Sequence, residues 1–254
     1  MNLGIIGCGA IGTDVALYAD SVDDIERIYL YDIKPEVSSR LCSRLRKAEV
    51  KPVEEFLGLV DVVFEAASQD AVIEYGEMVL KAGKHLVVMS IGSLFDDDFR
   101  MRLVEAARKN GCKIYLPSGA VCGIDGVYAA SAECLDSVTL VTTKPPSSLG
   151  VNVDKRTVIY KGSAREAVKL FPRNINVAAC LSLAGIGFDA TTVEIVADPV
   201  ATRINHKILA HGRFGRLRAE VENMPNPKNP QSSYMASLSA IAILKRIMDP
   251  VQIG

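Results

Sequence analysis

An apolar run, Leu3-Gly4-Ile5-Ile6, leads directly into Gly7-Cys8-Gly9-Ala10-Ile11-Gly12 and then into a helical pattern. Glycines at this spacing between a strand and a helix have a definite use. Gly7 permits a tight turn, Gly9 lets the backbone approach a pyrophosphate, and Gly12 lets the helix pack closely on the strand. Backbone N–H groups at Ala10 and Ile11 then stand at a helix N-terminus, where the dipole favours phosphate oxygens. Asp32 closes the next apolar run, Arg27-Ile28-Tyr29-Leu30-Tyr31, and lies about 20 residues beyond Gly12, where a carboxylate accepts hydrogen bonds from ribose hydroxyls and repels a 2′-phosphate. Lys34 works against that repulsion. The expected ligand is NAD or NADP, with Asp32 favouring NAD. Ala66, Ala67 and Ser68 after the third apolar run, and Ser90 after the fourth, are expected to line the same cleft, because ligands of open α/β sheets collect beyond the carboxyl ends of the strands. A serine in such a place also serves as a helix cap.

A nicotinamide reaction at an amine or alcohol carbon also needs a group that exchanges protons near neutral pH, and the chain has only 3 histidines. His85 opens the run Leu86-Val87-Val88 and reads as structural, at the entry of a core strand. His206 and His211 share one strand-like segment, and alternation sends them to opposite faces. His206 has the parity of Ile208 and Ala210, whereas His211 has that of Lys207 and borders a glycine turn. His206 is a candidate acid/base, and a buried structural histidine is the alternative that strand parity leaves open. The 6 cysteines show no CxxC pair, and no spacing of histidine and cysteine suggests a metal site.

The elements that must position these groups fall into two patterns. From residue 1 to about 116, apolar runs near 2–6, 27–31, 61–66, 85–89 and 112–116 alternate with helical patterns near 11–20, 36–47, 69–82 and 97–109. That rhythm predicts a parallel sheet with helices on both faces. After Pro117 it changes to a helix near 124–133, a strand over 137–143, a loop at Pro145-Pro146-Ser147-Ser148, helices near 163–170 and 176–186, and strands near 191–197, 203–210 and 215–222. The fold class expected is α/β: a Rossmann dinucleotide-binding domain over 1–117 and a smaller α+β domain, built on a mainly antiparallel sheet, over 118–231. The Pro/Asn-rich stretch 223–231 is expected to be an irregular loop. Residues 232–254 are expected to form a closing helix, capped by Ser233, that packs a stripe of Leu238, Ile241, Leu244 and Ile247 across both domains or back onto the first.

Composition removes several function classes. Lys+Arg 29 against Asp+Glu 30 leaves a net charge of -1, with no overall field for nucleic acid. The cluster Arg40, Arg44, Arg46 and Lys47 reads as a solvated helix face. No apolar run approaches a membrane span, and Met1 runs into the first apolar stretch without a charged leader. A reduced, unexported cytoplasmic protein is expected, working as a homodimer because the smaller domain's sheet needs cover on its second face.

Several phrases then combine: the GxGxxG start, Pro117-Ser118-Gly119-Ala120 with Gly123-Ile124-Asp125, Asn174-Ile175-Asn176-Val177-Ala178-Ala179, and Ala197-Asp198-Pro199 ahead of His206 and Phe214-Gly215. In this order, over nearly the whole chain, they resemble the L-aspartate dehydrogenase family. The resemblance implies NAD(P)-dependent oxidation of L-aspartate to iminosuccinate, which water converts to oxaloacetate and ammonia or which passes to quinolinate synthase for NAD synthesis. It also implies cofactor contacts at Ala120 and Asn176 and an active-site histidine at His206. Ser118 and Asn205 are the substrate candidates, with Lys144 the basic residue considered for the side-chain carboxylate. Cys122 and Val121 depart from the family's usual small residue and isoleucine, in the turn that would shape the substrate pocket. Dihydrodipicolinate reductase and homoserine dehydrogenase share the two-domain plan but not these second-half phrases. A non-catalytic NAD(H)-sensing regulator would need a further module.

Overall fold

The computed structural model describes residues 1–171 and 176–252, and contacts divide the chain into two compact units, 1–117 with the segment from Ser237 onward, and 118–236. The first unit runs β1 (Asn2–Ile6), α1 (Ala10–Ser21), β2 (Arg27–Tyr31), α2 (Pro35–Cys42), β3 (Ala48–Val50), α3 (Val53–Phe56), β4 (Val62–Glu65), α4 (Gln69–Lys81), β5 (His85–Val88), a 3-10 turn (Ile91–Phe95), α5 (Asp97–Lys109) and β6 (Ile114–Tyr115). The strands pair in parallel in the order β3-β2-β1-β4-β5-β6. Central strands buried on both faces must be apolar throughout, as Leu3, Ile5, Val62, Val63, Phe64, Leu86 and Val87 are. The helices carry their own stop and start chemistry. Ser68 Oγ accepts the Ala71 N–H (3.2 Å), and Asp96 Oδ1 accepts the Phe99 N–H (2.8 Å). Acidic Asp97 and Asp98 open α5 and basic Arg108 and Lys109 close it, matching the helix dipole.

The second unit runs α6 (Ile124–Ala130), β7 (Leu135–Lys144), α7 (Pro146–Leu149), β8 (Thr157–Ser163), α8 (Ala164–Leu170), α9 (Asn176–Ala184), α10 (Gly187–Ala190), β9 (Thr192–Ala197), β10 (Ile204–Gly212), β11 (Gly215–Asn223), β12 (Pro225–Asn226) and β13 (Asn229–Ser233), before α11 (Tyr234–Met248). Its main sheet has the order β11-β10-β7-β9-β8. Only β7 and β9 pair in parallel, so the sheet is mixed and mostly antiparallel. One face is buried through Val138, Leu140, Val193, Ile195, Ile208 and Ala210. The other carries ion pairs such as Lys207–Glu220 (3.4 Å) and Arg203–Glu222 (3.7 Å).

Five sequence expectations change. The helix expected over 36–47 ends at Cys42, because Asp20 Oδ1 accepts the N–H groups of Arg46 (2.8 Å) and Lys47 (2.9 Å) and feeds the chain into edge strand β3. Arg44, Arg46 and Lys47 therefore lie beyond the helix, and only Arg40 of the basic cluster stays on it. Edge strand β8 had no counterpart in the sequence reading, and the 145–148 loop holds the single turn α7. The stretch 223–231 forms the β12–β13 hairpin, in which Asn226 Oδ1 accepts the Lys228 N–H (2.8 Å) to close the turn. In α11 Leu244 of the expected stripe is buried in the first unit's core and Ile241 and Ile247 pack against it, but Leu238 stays 40% exposed and Ala240 and Ile243 join the core face instead.

Candidate active site

β1 ends at the sheet's switch point, where helices leave in opposite directions on either side of β1 and β4, the place such sheets bind ligands. Gly7 lies at φ +94, and a Cβ there would sit 2.7 Å from the Ala66 and Ala67 backbone. A Cβ on Gly12 would stand 1.9 Å from the Gly7 carbonyl oxygen. A Cβ on Gly9 would meet nothing within 4 Å. Two glycines are thus demanded by packing, and the third faces open space at the N-cap of α1, which has no side-chain cap and no acidic residue in its first turn. Ala10 and Ile11 form that first turn. The cradle fits a dinucleotide pyrophosphate.

Asp32 follows β2, its Oδ2 accepting the Cys8 N–H (2.8 Å) and its Oδ1 the Lys34 N–H (2.9 Å). The carboxylate therefore braces the glycine turn. Burial, with Asp32 adding to it, pushes the Cys8 thiol up to about 12, so this cysteine is no nucleophile.

The sequence reading missed Glu65, the last residue of β4, 1% exposed. Its Oε1 accepts the Ala67 N–H (2.8 Å) and the Ser90 hydroxyl (2.8 Å), and its Oε2 the N–H groups of Ser90 (2.9 Å) and Met89 (3.2 Å). Burial raises its pKa against the pull of these bonds. One carboxylate thereby ties the turns after β4 and β5 together. Ser90 points at Glu65, and Ser68 spends its oxygen capping α4, while Ala67 and Ser68 are both exposed at that turn.

In the second unit His206 lies on β10 opposite Thr142 of β7. It is 6% exposed, and its Nδ1 is 2.9 Å from Thr142 Oγ1. Burial first, and then the charge of Lys144, lower its pKa to about 3. The imidazole is neutral at neutral pH in the free protein, which corrects the expectation of a pKa near the working range. His211 lies on the exposed face, 3.1 Å from Asp136. His85 Nδ1 accepts the Lys113 N–H (3.0 Å) in the first sheet, a structural role.

The match described as "Aspartate dehydrogenase, C-terminal" covers residues 125–247, and that described as "Homoserine dehydrogenase, NAD binding domain" covers 7–117. An L-aspartate dehydrogenase from Methanosarcina barkeri is 44% identical, spanning 100% of this chain and 99% of its own. The chain belongs to the L-aspartate dehydrogenase family. Within that family, the crystal structure of aspartate dehydrogenase from Thermotoga maritima superposes with a TM-score of 0.83 at 30% identity, over 100% of this chain and 99% of that one. A dihydrodipicolinate reductase from Paenisporosarcina, at 13% identity and a TM-score of 0.57 over 98% of this chain and 93% of its own, shares the fold alone.

Of the residues that the family resemblance singles out, Ala120 is buried, and its carbonyl accepts from Asn223 Nδ2 (3.0 Å). Asn176 stands exposed at the start of α9, while Asn174 and Ile175 of the same phrase lie outside the described residues. A Cβ on Gly119 would be 3.8 Å from Val177, so the 118–120 turn, with half-buried Ser118, lies against the start of α9. Asn205 is a correction. Alternation turns it to the face opposite His206, where its Nδ2 donates to Glu220 (3.2 Å).

Proposed function

We propose that this protein is an L-aspartate dehydrogenase, oxidising L-aspartate with NAD+ or NADP+ to iminosuccinate, which water converts to oxaloacetate and ammonia. The observation that carries the reading is the full-length likeness, at 44% identity, to a protein of that name. In this reading Gly7, Gly9 and the N–H groups of Ala10 and Ile11 hold the pyrophosphate, Asp32 takes a ribose, and the turns at Ala67, Ser68 and Ser90 border the cofactor. The resemblance adds Ala120 and Asn176 as cofactor contacts and Ser118 as a substrate contact. Asn205 is left out because it faces away from His206. When bound, the cofactor accepts a hydride from the substrate Cα.

His206 takes a proton from the substrate ammonium, so that the nitrogen lone pair forms the imine as the hydride leaves. That role needs the tautomer in which Nδ1–H donates to Thr142 Oγ1 and Nε2 keeps its lone pair. A neutral imidazole beside Lys144 is a weak base until a substrate carrying two carboxylates arrives and raises its proton affinity. Aspartate binding thus prepares its own acceptor.

A spectrophotometric screen of L-aspartate and L-homoserine with NAD+ and NADP+, and of oxaloacetate plus ammonia with NADH and NADPH, tests the reading. Aspartate-dependent reduction is expected, and turnover of homoserine alone would overturn it. The same reading includes a cytoplasmic homodimer and delivery of iminosuccinate to quinolinate synthase. Light scattering tests the first, and a coupled assay with that enzyme tests the second.

A further inference from the structure

Glu65 is 1% exposed at the end of β4, a central strand of the parallel sheet, where a carboxylate is costly unless its oxygens are bonded. Its donors belong to two turns, Ala67 after β4 and Met89 and Ser90 after β5. The register of β4 on β5 ends at Glu65 and Val88, and the carboxylate supplies acceptors to the N–H groups that follow it. One side chain therefore fixes both turns at once. A dinucleotide with its adenosine ribose on Asp32 after β2 and its pyrophosphate at the N-terminus of α1 crosses β1, so its second half passes over the ends of β4 and β5 on the other side. Those ends are the turns that Glu65 holds.

Resting on the cofactor reading above, we infer that Glu65 is a positioning residue for the nicotinamide riboside half of the dinucleotide, acting through the two turns on which that half lies. A turn that holds its bound shape before the ligand arrives spends no binding free energy on ordering, and the apparent Kd rises as the fraction of molecules holding that shape falls. Preorganisation is thus what the buried carboxylate contributes. Glutamine has the same size but cannot replace it, because an NH2 in place of Oε1 faces the Ala67 N–H, and one in place of Oε2 faces those of Ser90 and Met89. Either way a backbone donor is stranded and one turn is released.

The test measures calorimetric binding of NADH and of ADP to full-length wild type, Glu65→Gln and Glu65→Asp, below the melting transition of each. ADP carries the adenosine ribose and both phosphates but lacks the nicotinamide riboside. Glu65→Gln should raise the NADH Kd by roughly 5- to 100-fold, the worth of a stranded N–H, with ADP affinity close to wild type. Glu65→Asp keeps both oxygens on a stem one methylene shorter and should show the same pattern to a smaller degree. Equal weakening of NADH and ADP overturns the inference, because the damage would then be spread over the whole unit. Wild-type NADH affinity in the folded glutamine variant overturns it too, and so does loss of folding in both variants, which would make Glu65 a residue of the fold alone. Wild type that binds NADH without oxidising aspartate, with the expected pattern in the variants, sinks the substrate reading and keeps Glu65. Wild type that binds neither ligand removes both.

Discussion

His206 is buried at 6% exposure with its pKa lowered to about 3, and this single side chain makes two separable demands on the protein. The unfolded imidazole takes up a proton as pH falls through 6.5, and the folded one resists until about 3. Stability tied to this group is therefore complete above 6.5 and is lost as pH falls toward 3, by about 2–3 kcal/mol between pH 6.5 and 4.5. His206→Asn should show a shallower loss of melting temperature over that window than wild type, and equal slopes would refute the buried neutral imidazole. In catalysis, His206→Ala should cost about two to four orders of magnitude in kcat, the usual worth of a positioned acid/base, with the Kd for NADH unchanged. Parity with Ile208 and Ala210 made this face legible from sequence, but the alternation that selects His206 also removes Asn205. Asp32 was legible too, as the acidic residue that follows β2. Its bonds to Cys8 and Lys34 were not, because they depend on how the turn closes. Asp32→Ser should raise the NADP+/NAD+ ratio of kcat/KM while weakening both cofactors, through loss of the brace on Cys8. An unchanged ratio would take Asp32 off the ribose.

At the scale of elements, the β1–α1 turn separates the glycines that packing demands, Gly7 and Gly12, from Gly9, where a Cβ would meet nothing. Gly9→Ala puts a methyl into open space at a φ of -69 that alanine adopts freely, so the melting temperature should hold while the NADH Kd rises at least tenfold. Gly12→Ala forces a methyl onto the Gly7 carbonyl oxygen, and should lower the melting temperature and the affinity together. Equal behaviour of the two variants would mean that Gly9 does not face the phosphates. The glycine turn was legible because each glycine acts within its own few residues. Glu65 was not, since a glutamate closing an apolar run looks like a strand end leaving the core. The donors it gathers, Ala67, Met89 and Ser90, belong to two turns that only the parallel pairing of β4 and β5 brings together. Edge strands β3 and β8 escaped for a related reason. Most of their residues are half or fully exposed, so they lack the apolar pattern that marks a central strand.

Over the whole chain, the first unit is discontinuous, since the segment from Ser237 onward returns to the core built by residues 1–117. A closing helix with an apolar stripe was legible, and Ile241, Leu244 and Ile247 of that stripe meet the core, but Leu238 does not, and Ala240 and Ile243 of the same apolar segment are buried in its stead. Leu244 is 0% exposed and Leu238 40% exposed, so the two leucines give a direct measure of the helix phase. Leu244→Ala should destabilise the first unit by about 2–5 kcal/mol, through lost burial and the cavity left behind, whereas Leu238→Ala should stay within about 0.5 kcal/mol, as surface changes do. Because the dinucleotide cradle belongs to the same unit, saturating NADH at about 100 times its Kd should return about 2.7 kcal/mol to the Leu244 variant by mass action. Thermal melts with and without NADH provide the check. Equal losses from the two leucines would reject the helix phase, and a Leu244 variant that NADH fails to stabilise would show that the cradle does not share a cooperative unit with the closing helix.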